Sequence, residues 1–317
     1  MPVYNGEPFV ARAIESILDQ TFRDLEFVIV DDGSTDATPK LLDEYAARDG
    51  RIRLLAQPRN TGIAEAASRG CREARGRYLA RMDADDASFP DRFEKQVAYL
   101  DAHPDVGILG ANIRDFDERG PFGSVWRRPT EPKVVAWFLL FGNCIAHPTV
   151  MMRREVFERF GPYRACACED YDFWLRIHSE TKMANLPDVL VNYCIRDDQN
   201  SRLVPARSTD LKLQQALMSD LAGREMSPKS VELLRLEGVD TAEPWEIDVA
   251  ARSLADLRQA FFRKFRPNRG DKAEIAVDVL KRLRSLGRPR GFRSLRLLVE
   301  AFSTRHVKRI AERAKSA

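Results

Sequence analysis

Three groups of carboxylates in this 317-residue chain have the types and spacing that chemistry requires. Asp31-Asp32 follows the apolar run Leu25 to Val30, Asp83-Ala84-Asp85-Asp86 follows Tyr78 to Met82, and Glu169-Asp170 opens the cluster Glu169-Asp170-Tyr171-Asp172. In an open parallel sheet, residues just beyond the carboxyl ends of strands face the ligand crevice, so the first two groups are expected to converge. Several like charges in one crevice repel, and a divalent cation relieves that repulsion. Hard oxygen donors favour Mg²⁺ or Mn²⁺ over zinc. An Asp-x-Asp at a strand end can turn two carboxylates toward one metal, leaving its other positions to water and phosphate oxygens. That arrangement suits a site handling a diphosphate.

The elements that must position these groups follow from the hydrophobic pattern. To about residue 115, short apolar runs alternate with amphipathic stretches, the signature of a mostly parallel sheet flanked by helices. Strands are expected at Leu25 to Val30, Ile52 to Ala56, Tyr78 to Met82 and Ile108 to Phe116. Helices are expected from Thr38-Pro39 to Gly50, from Ile63 to Ala74, and from Pro90 until Pro104 ends the stretch carrying Phe93, Val97 and Leu100. Residues 117–205 read as loops and short helices closing over a site, with His147-Pro148-Thr149, the acidic cluster and a strand from Val189 to Ile195. Beyond Asp210 the pattern is almost purely helical, broken by Pro244, Pro267 and Pro289. The boundary is drawn at residue 205, giving domains 1–205 and 206–317.

With 44% hydrophobic, 31% charged and 9% aromatic residues, the chain has a globular composition that excludes collagen-like, mucin-like and disulfide-scaffold classes. Its five cysteines are scattered; Cys166 and Cys168 have no structural-zinc spacing and read as reduced loop thiols. No apolar run approaches the roughly 20 residues that span a bilayer, and the N-terminus lacks a secretion signal. A cytoplasmic location is expected, with a possible peripheral position at the inner face of the membrane. Residues 251–317 hold 19 Lys/Arg against 6 Asp/Glu, whereas residues 1–250 hold 32 against 42. In the basic part, Phe292, Leu295, Val299, Phe302 and Ile310 recur at about helical spacing among arginines and lysines. Such a helix either packs on its own domain or rests on anionic lipid. No nucleic-acid-binding module is recognisable.

Pro2-Val3-Tyr4-Asn5, Asp31-Asp32-Gly33-Ser34-Thr35-Asp36, Asn60-Thr61-Gly62, Ala80-Arg81-Met82-Asp83-Ala84-Asp85-Asp86 and Glu169-Asp170 together resemble the family 2 glycosyltransferases. The resemblance covers roughly residues 1–200. One D-x-D is common by chance; five motifs in order are not. The resemblance implies a GT-A nucleotide-diphospho-sugar transferase fold, here with a helical C-terminal extension. It further implies Mn²⁺- or Mg²⁺-dependent, inverting transfer of a sugar from a nucleotide-diphosphate donor, a UDP-sugar, to a saccharide or lipid-linked acceptor in bacterial surface polysaccharide or lipopolysaccharide synthesis. On the matching positions, Pro2, Val3 and Tyr4 resemble the lining of the nucleobase pocket, Asp31 the carboxylate that bonds the uracil ring nitrogen, and Asp32 its neighbour in the nucleotide site. Asp83 resembles the ribose or donor-sugar contact, Asp85 the metal ligand, and Asp170 the catalytic base with Glu169 beside it. Family members usually carry several apolar residues before Pro-x-Tyr-Asn, which leaves here either a start further upstream or a shortened first strand.

Simpler roles stand beside these. Asp31 to Asp36 is also a turn-and-cap composition, Asp86 suits a helix-flanking acid, and Glu169-Asp170 suits the positive end of a helix. His147 is a metal, phosphate or acceptor contact or else a packing residue; Arg81 and Arg196 meet diphosphate or pair with neighbouring acids. The competing activities are a catalytically impaired sugar-nucleotide-binding protein and a sugar nucleotidyltransferase, although the latter's glycine-rich basic loop is missing. An oxidoreductase is disfavoured because no G-x-G-x-x-G follows a strand.

Overall fold

Apolar runs and amphipathic stretches alternate in space as they do in sequence. The computed structural model describes residues 1–117, 120–195, 207–235 and 239–286. Among them, one unit takes in 1–132 with 143–195, and a second takes in 133–142 with 207–286. In chain order the elements are β1 (Pro2–Val3), α1 (Val10–Leu18), β2 (Phe27–Asp31), α2 (Thr38–Arg48), β3 (Ile52–Ala56), α3 (Ile63–Glu73), β4 (Tyr78–Ala80), β5 (Ala87–Ser88), α4 (Arg92–Ala102), β6 (Val106–Asp117) and β7 (Gly120–Trp126). Then come α5 (Pro132–Phe138), a 3-10 turn (His147–Thr149), β8 (Met151–Arg153), α6 (Arg154–Phe160), α7 (Glu169–Ile177) and β9 (Lys182–Cys194). The helices α8 (Arg207–Ala222), α9 (Pro228–Leu234), α10 (Pro244–Phe265) and α11 (Arg269–Ser285) follow.

In the first unit β1, β2 and β3 are parallel, with Val3 opposite Asp31 and Asp31 opposite Ala56. All five residues of β2 are buried, as an uninterrupted apolar run covered on both faces requires. β1 is two residues long. The second sheet runs β4-β8-β6-β9-β5, with β7 paired to β6. Here only β6–β9 is parallel, so this sheet is mixed where the pattern led us to expect parallel pairing. For β6 and β7 the reason is local: they are three residues apart at Asp117 and Gly120, which pair with each other, and strands that close in sequence pair antiparallel.

Residues 117–195 are also more regular than expected. β9 begins at Lys182 rather than Val189, because Pro187-Asp188 interrupts its apolar pattern without ending it. The ladder skips these two residues between Ala111↔Leu186 and Asn112↔Val189, and Asn112 Nδ2 donates to the Pro187 carbonyl at 2.7 Å. A proline in an inner strand is tolerated at such a bulge. The core of this unit gathers Val10, Ile14, Ile29, Leu42, Leu100 and Leu109.

The second unit packs Trp137, Leu254, Phe261, Ile275 and Val279. Pro244 sits in the first turn of α10, which Arg266 ends at φ 47°, and Asn268 and Asp271 form a capping box that starts α11. Pro289 and the basic residues Arg290 to Arg313 lie outside the described residues. No described helix is long and apolar enough to cross a membrane. Buried in this core, Asp278 Oδ2 accepts from the Trp137 indole and from Arg282 Nε, both at 2.8 Å, while Arg282 Nη1 donates to the Leu234 carbonyl at 2.6 Å. Removing one member of a buried ion pair leaves the other uncompensated. Asp278→Ala is therefore expected to lower unfolding stability by about 3–5 kcal/mol in urea titration; a loss under about 1 kcal/mol would mean that the guanidinium finds other solvation.

Candidate active site

At the end of β1 and β2, one set of backbone and side-chain bonds shapes a loop-lined corner. Asn5, at φ 49°, receives Thr35 N–H on its Oδ1 at 2.8 Å and donates its own N–H to Ser34 Oγ at 2.9 Å. Tyr4 is exposed, whereas Pro2 and Val3 are buried. Asp31 Oδ1 accepts from Ser34 N–H at 3.0 Å. Asp32 is more fully engaged: Oδ1 accepts from Thr61 N–H and Oγ1, both at 2.8 Å, and from Gln57 Nε2 at 2.6 Å, and Oδ2 accepts from Gly62 N–H at 2.9 Å. Asp32 thus anchors the 57–62 loop. Gly33 completes the corner at φ +75°, where a Cβ would lie 2.6–2.9 Å from the backbone of Arg59 and Asn60. No side chain fits there.

The acidic run after β4 surrounds a buried arginine. Arg81 is 6% exposed; its N–H donates to the Val150 carbonyl at 2.8 Å, its carbonyl accepts from Arg92 Nη2 at 2.7 Å, and its Nη2 meets Asp83 Oδ1 at 2.5 Å. Asp85 is half-buried, and its carbonyl accepts from Arg12 at 3.1 Å. Asp86 is fully buried; Oδ1 accepts from Cys194 N–H at 2.8 Å, and no hydrogen-bond partner reaches Oδ2. Burial, and then the charges of Asp83 and Asp85, push the Asp86 carboxyl well above the ordinary aspartate range. A buried carboxyl that keeps its proton is a poor metal ligand, whereas Asp83 and Asp85 are half-buried and offer the hard oxygens that a divalent cation takes. Among the described residues no three or more His, Cys, Asp or Glu side chains gather as a cage for a metal.

Glu169 and Asp170 open α7 and face different surroundings. His147 Nδ1 lies 3.6 Å from Glu169 Oε1, His147 Nε2 is 3.2 Å from the Tyr163 hydroxyl, and the imidazole meets Trp174 edge-on at 5.9 Å. Burial works to raise the Glu169 carboxyl, but the facing His147 outweighs it and the carboxyl lies below its ordinary value. Asp170, half-open at its surface yet ringed by protein atoms, is raised by desolvation and further by Glu169, against the pull of His147 and of hydrogen bonds from Tyr171 N–H and Asn143. Two adjacent carboxyls are thus pushed in opposite directions. The buried charge of Arg81 interacts with both Asp83 and Glu169, which ties the second acidic group to the third.

His147 is thus a buried contact of Glu169 and Tyr163, and Arg81 a partner of Asp83. Arg196 lies outside the described residues. Sequence reasoning passed over Arg92, Tyr163 and Asn143. Arg92 sits fully buried at the start of α4, and nothing in its surroundings in sequence marks that burial. Asn143 follows Gly142 at the end of an apolar run, four residues before His147, and that position alone does not mark it. A cavity of about 710 Å³ lined by Met1, Val28, Leu79, Arg81 and Tyr163, among others, lies behind these groups, and none of the carboxylates singled out above lines it.

Comparison with known proteins decides the family: the description "Glycosyl transferase family 2" matches residues 1–161, just over half of the chain. The chain belongs to glycosyl transferase family 2. As a glycosyltransferase it is similar to the putative glycosyltransferase EpsE of Bacillus subtilis, 36% identical over 208 residues, covering 63% of this chain and 73% of EpsE. It is also similar to the O-antigen biosynthesis glycosyltransferase WbnJ of Escherichia coli, 32% identical over 207 residues, covering 64% and 80% of the two chains. Among solved structures, residues 1–349 of TarS from S. aureus in complex with UDP-GlcNAc match at TM-score 0.57 and 16% identity, covering 90% of this chain and 88% of that one. The mannosyltransferase PcManGT from Pyrobaculum calidifontis, in complex with GDP-Man and Mn²⁺, matches at TM-score 0.51 and 21% identity, covering 90% and 84%. These structures establish the GT-A-type fold of this family 2 enzyme.

Proposed function

We propose that this glycosyltransferase moves a sugar from a nucleotide-diphosphate donor, a UDP-sugar, to an acceptor hydroxyl with inversion at the anomeric carbon, using Mn²⁺ or Mg²⁺. The observation supporting the reading is that Arg81, paired with Asp83 after β4, is bonded through its N–H to Val150, directly after the 3-10 turn whose His147 faces Glu169 at the start of α7. Pro2, Val3, Tyr4 and Asp31 take the nucleotide, with Asp32 shaping its site through the 57–62 loop. Asp83 would take the ribose or donor sugar, and Asp85 would hold the cation. Breaking the anomeric C–O bond builds negative charge on the departing diphosphate, and a bound divalent cation neutralises that charge without proton transfer.

An acceptor hydroxyl is a poor nucleophile at neutral pH, so a carboxylate must take its proton as the new bond forms. Asp170 is that base. Its upward shift brings it closer to the working pH, where a base transfers protons most effectively, while Glu169 remains ionised against His147. We take residues 1–205 as the transferase domain, apart from 133–142, which pack with the second unit, and 206–317 as a basic C-terminal region, helical over most of its described residues. WbnJ is named for O-antigen biosynthesis; by analogy the acceptor is a saccharide or lipid-linked saccharide of a surface polysaccharide. The basic residues after 285 rest on anionic lipid and hold the enzyme at the inner face of the membrane.

Three measurements check these assignments. Asp85→Asn is expected to abolish Mn²⁺-dependent UDP binding in calorimetry; wild-type UDP affinity that ignores Mn²⁺ would remove the cation from the reading. Asp170→Asn is expected to keep donor binding and lose turnover by ~10²–10⁴-fold, so a variant that still turns over would strip Asp170 of its role. Deleting residues 285–317 is expected to weaken sedimentation with anionic liposomes, and unchanged sedimentation would leave that segment without a membrane role.

A further inference from the structure

We infer that Asn143 is a positioning residue for transfer: its side-chain amide holds the carboxylate of Asp170 in the orientation from which it takes the acceptor proton. The inference rests on Asp170 being the base. Asn143 Oδ1 accepts from Ile145 N–H at 3.1 Å, an Asx turn that fixes the side chain to its own loop. A backbone N–H can only donate, so the amide oxygen lies on that side and the amide nitrogen must face the other way. It faces Asp170 Oδ2 at 2.6 Å. The other oxygen, Oδ1, accepts from Tyr171 N–H at 2.7 Å. The carboxylate is therefore held at both ends, from the backbone of its own helix and from the 143–145 turn.

A neutral donor is the right chemistry for this task. A lysine or arginine would form a tighter pair and hold the carboxylate so far ionised that it became a feeble base. An amide fixes the direction of the oxygen while leaving it proton affinity. The charged and titratable groups that face Asp170 are Glu169 on its own helix, His147 on the 3-10 turn and Tyr163 in the loop before α7. Glu169 raises its proton affinity and His147 lowers it, so the Asn143 donor acts in the same sense as His147. Removing the donor must therefore raise the pH at which Asp170 loses its proton.

The test is the pH profile of kcat/KM for Asn143→Ala and Asn143→Asp, beside wild type and Asp170→Asn. Asn143→Ala is expected to move the acid limb to higher pH by roughly half to one unit, with turnover recovering toward the wild-type plateau above it. Asn143→Asp keeps the acceptor for Ile145 N–H, and hence the turn, but sets a second carboxylate beside Asp170. Its limb is expected to move further up than that of the alanine variant. Because it preserves the loop, this variant decides the matter if alanine fails to fold. A rate lowered evenly across pH with the limb unmoved in Asn143→Asp would overturn the inference and leave Asn143 a loop residue. Turnover retained by Asp170→Asn would instead overturn the base assignment beneath it, so the two failures separate cleanly.

Discussion

Carboxylates gathered at the end of a strand repel one another, and burial worsens the repulsion because water no longer screens it. Counter-charge here comes from two buried arginines, Arg81 and Arg92. Arg81 lies nearest the run. Its position is fixed through its backbone, bonded to Val150 on one side and to Arg92 on the other, so the guanidinium enters the acidic run from a point set by the sheet. From there it pairs with Asp83 and bears on Glu169. Arg92, also fully buried, bears on Asp86 and Asp83, and burial among these acids leaves the Asp86 carboxyl holding its proton, with no hydrogen-bond partner for Oδ2 among the described residues.

The same logic splits Glu169 from Asp170. Successive residues of an α-helix point about 100° apart, so two acids side by side in sequence cannot share one environment. Glu169 turns into the buried cluster of His147, Tyr163 and Trp174, and Asp170 turns toward the 143–145 turn. The inward acid is held ionised by a neighbour; the outward acid keeps its proton more readily. A single helical step thus sets one carboxyl against a histidine and the next against an amide.

Much of this was legible in the chain because it is local. The strand Ile52–Ala56, the helix entered at Thr38-Pro39 and the helix at Ile63 follow from apolar period and punctuation, and the structure keeps them. α1 was equally legible and overlooked: Val10, Ala13, Ile14 and Ile17 lie on one helical stripe and are all buried. What could not be read is what depends on partners distant in sequence. β9 hides behind Pro187-Asp188, whose bulge is acceptable only because Asn112 satisfies it from β6. Asp32 looks like a ligand contact until Thr61 and Gly62 are seen to occupy its oxygens. Asn143 is one polar residue among many until its turn directs it at Asp170.

The precision of the site therefore comes from its tethers to strands. Arg81 is bonded across to the residue that precedes β8, and Asp86 accepts from Cys194 at the end of β9, so the acidic run is pinned at both ends to the same sheet. That sheet is held in register by the long β6–β9 ladder, from Val106↔Lys182 to Phe116↔Cys194. A catalytic constellation must be held to within a fraction of an ångström, and strands achieve this more reliably than free loops. Four consecutive residues carrying three carboxylates would collapse or splay on an unsupported loop. Between two fixed points the spacing of the run is set by the sheet, through Val150 before β8 and Cys194 at the end of β9.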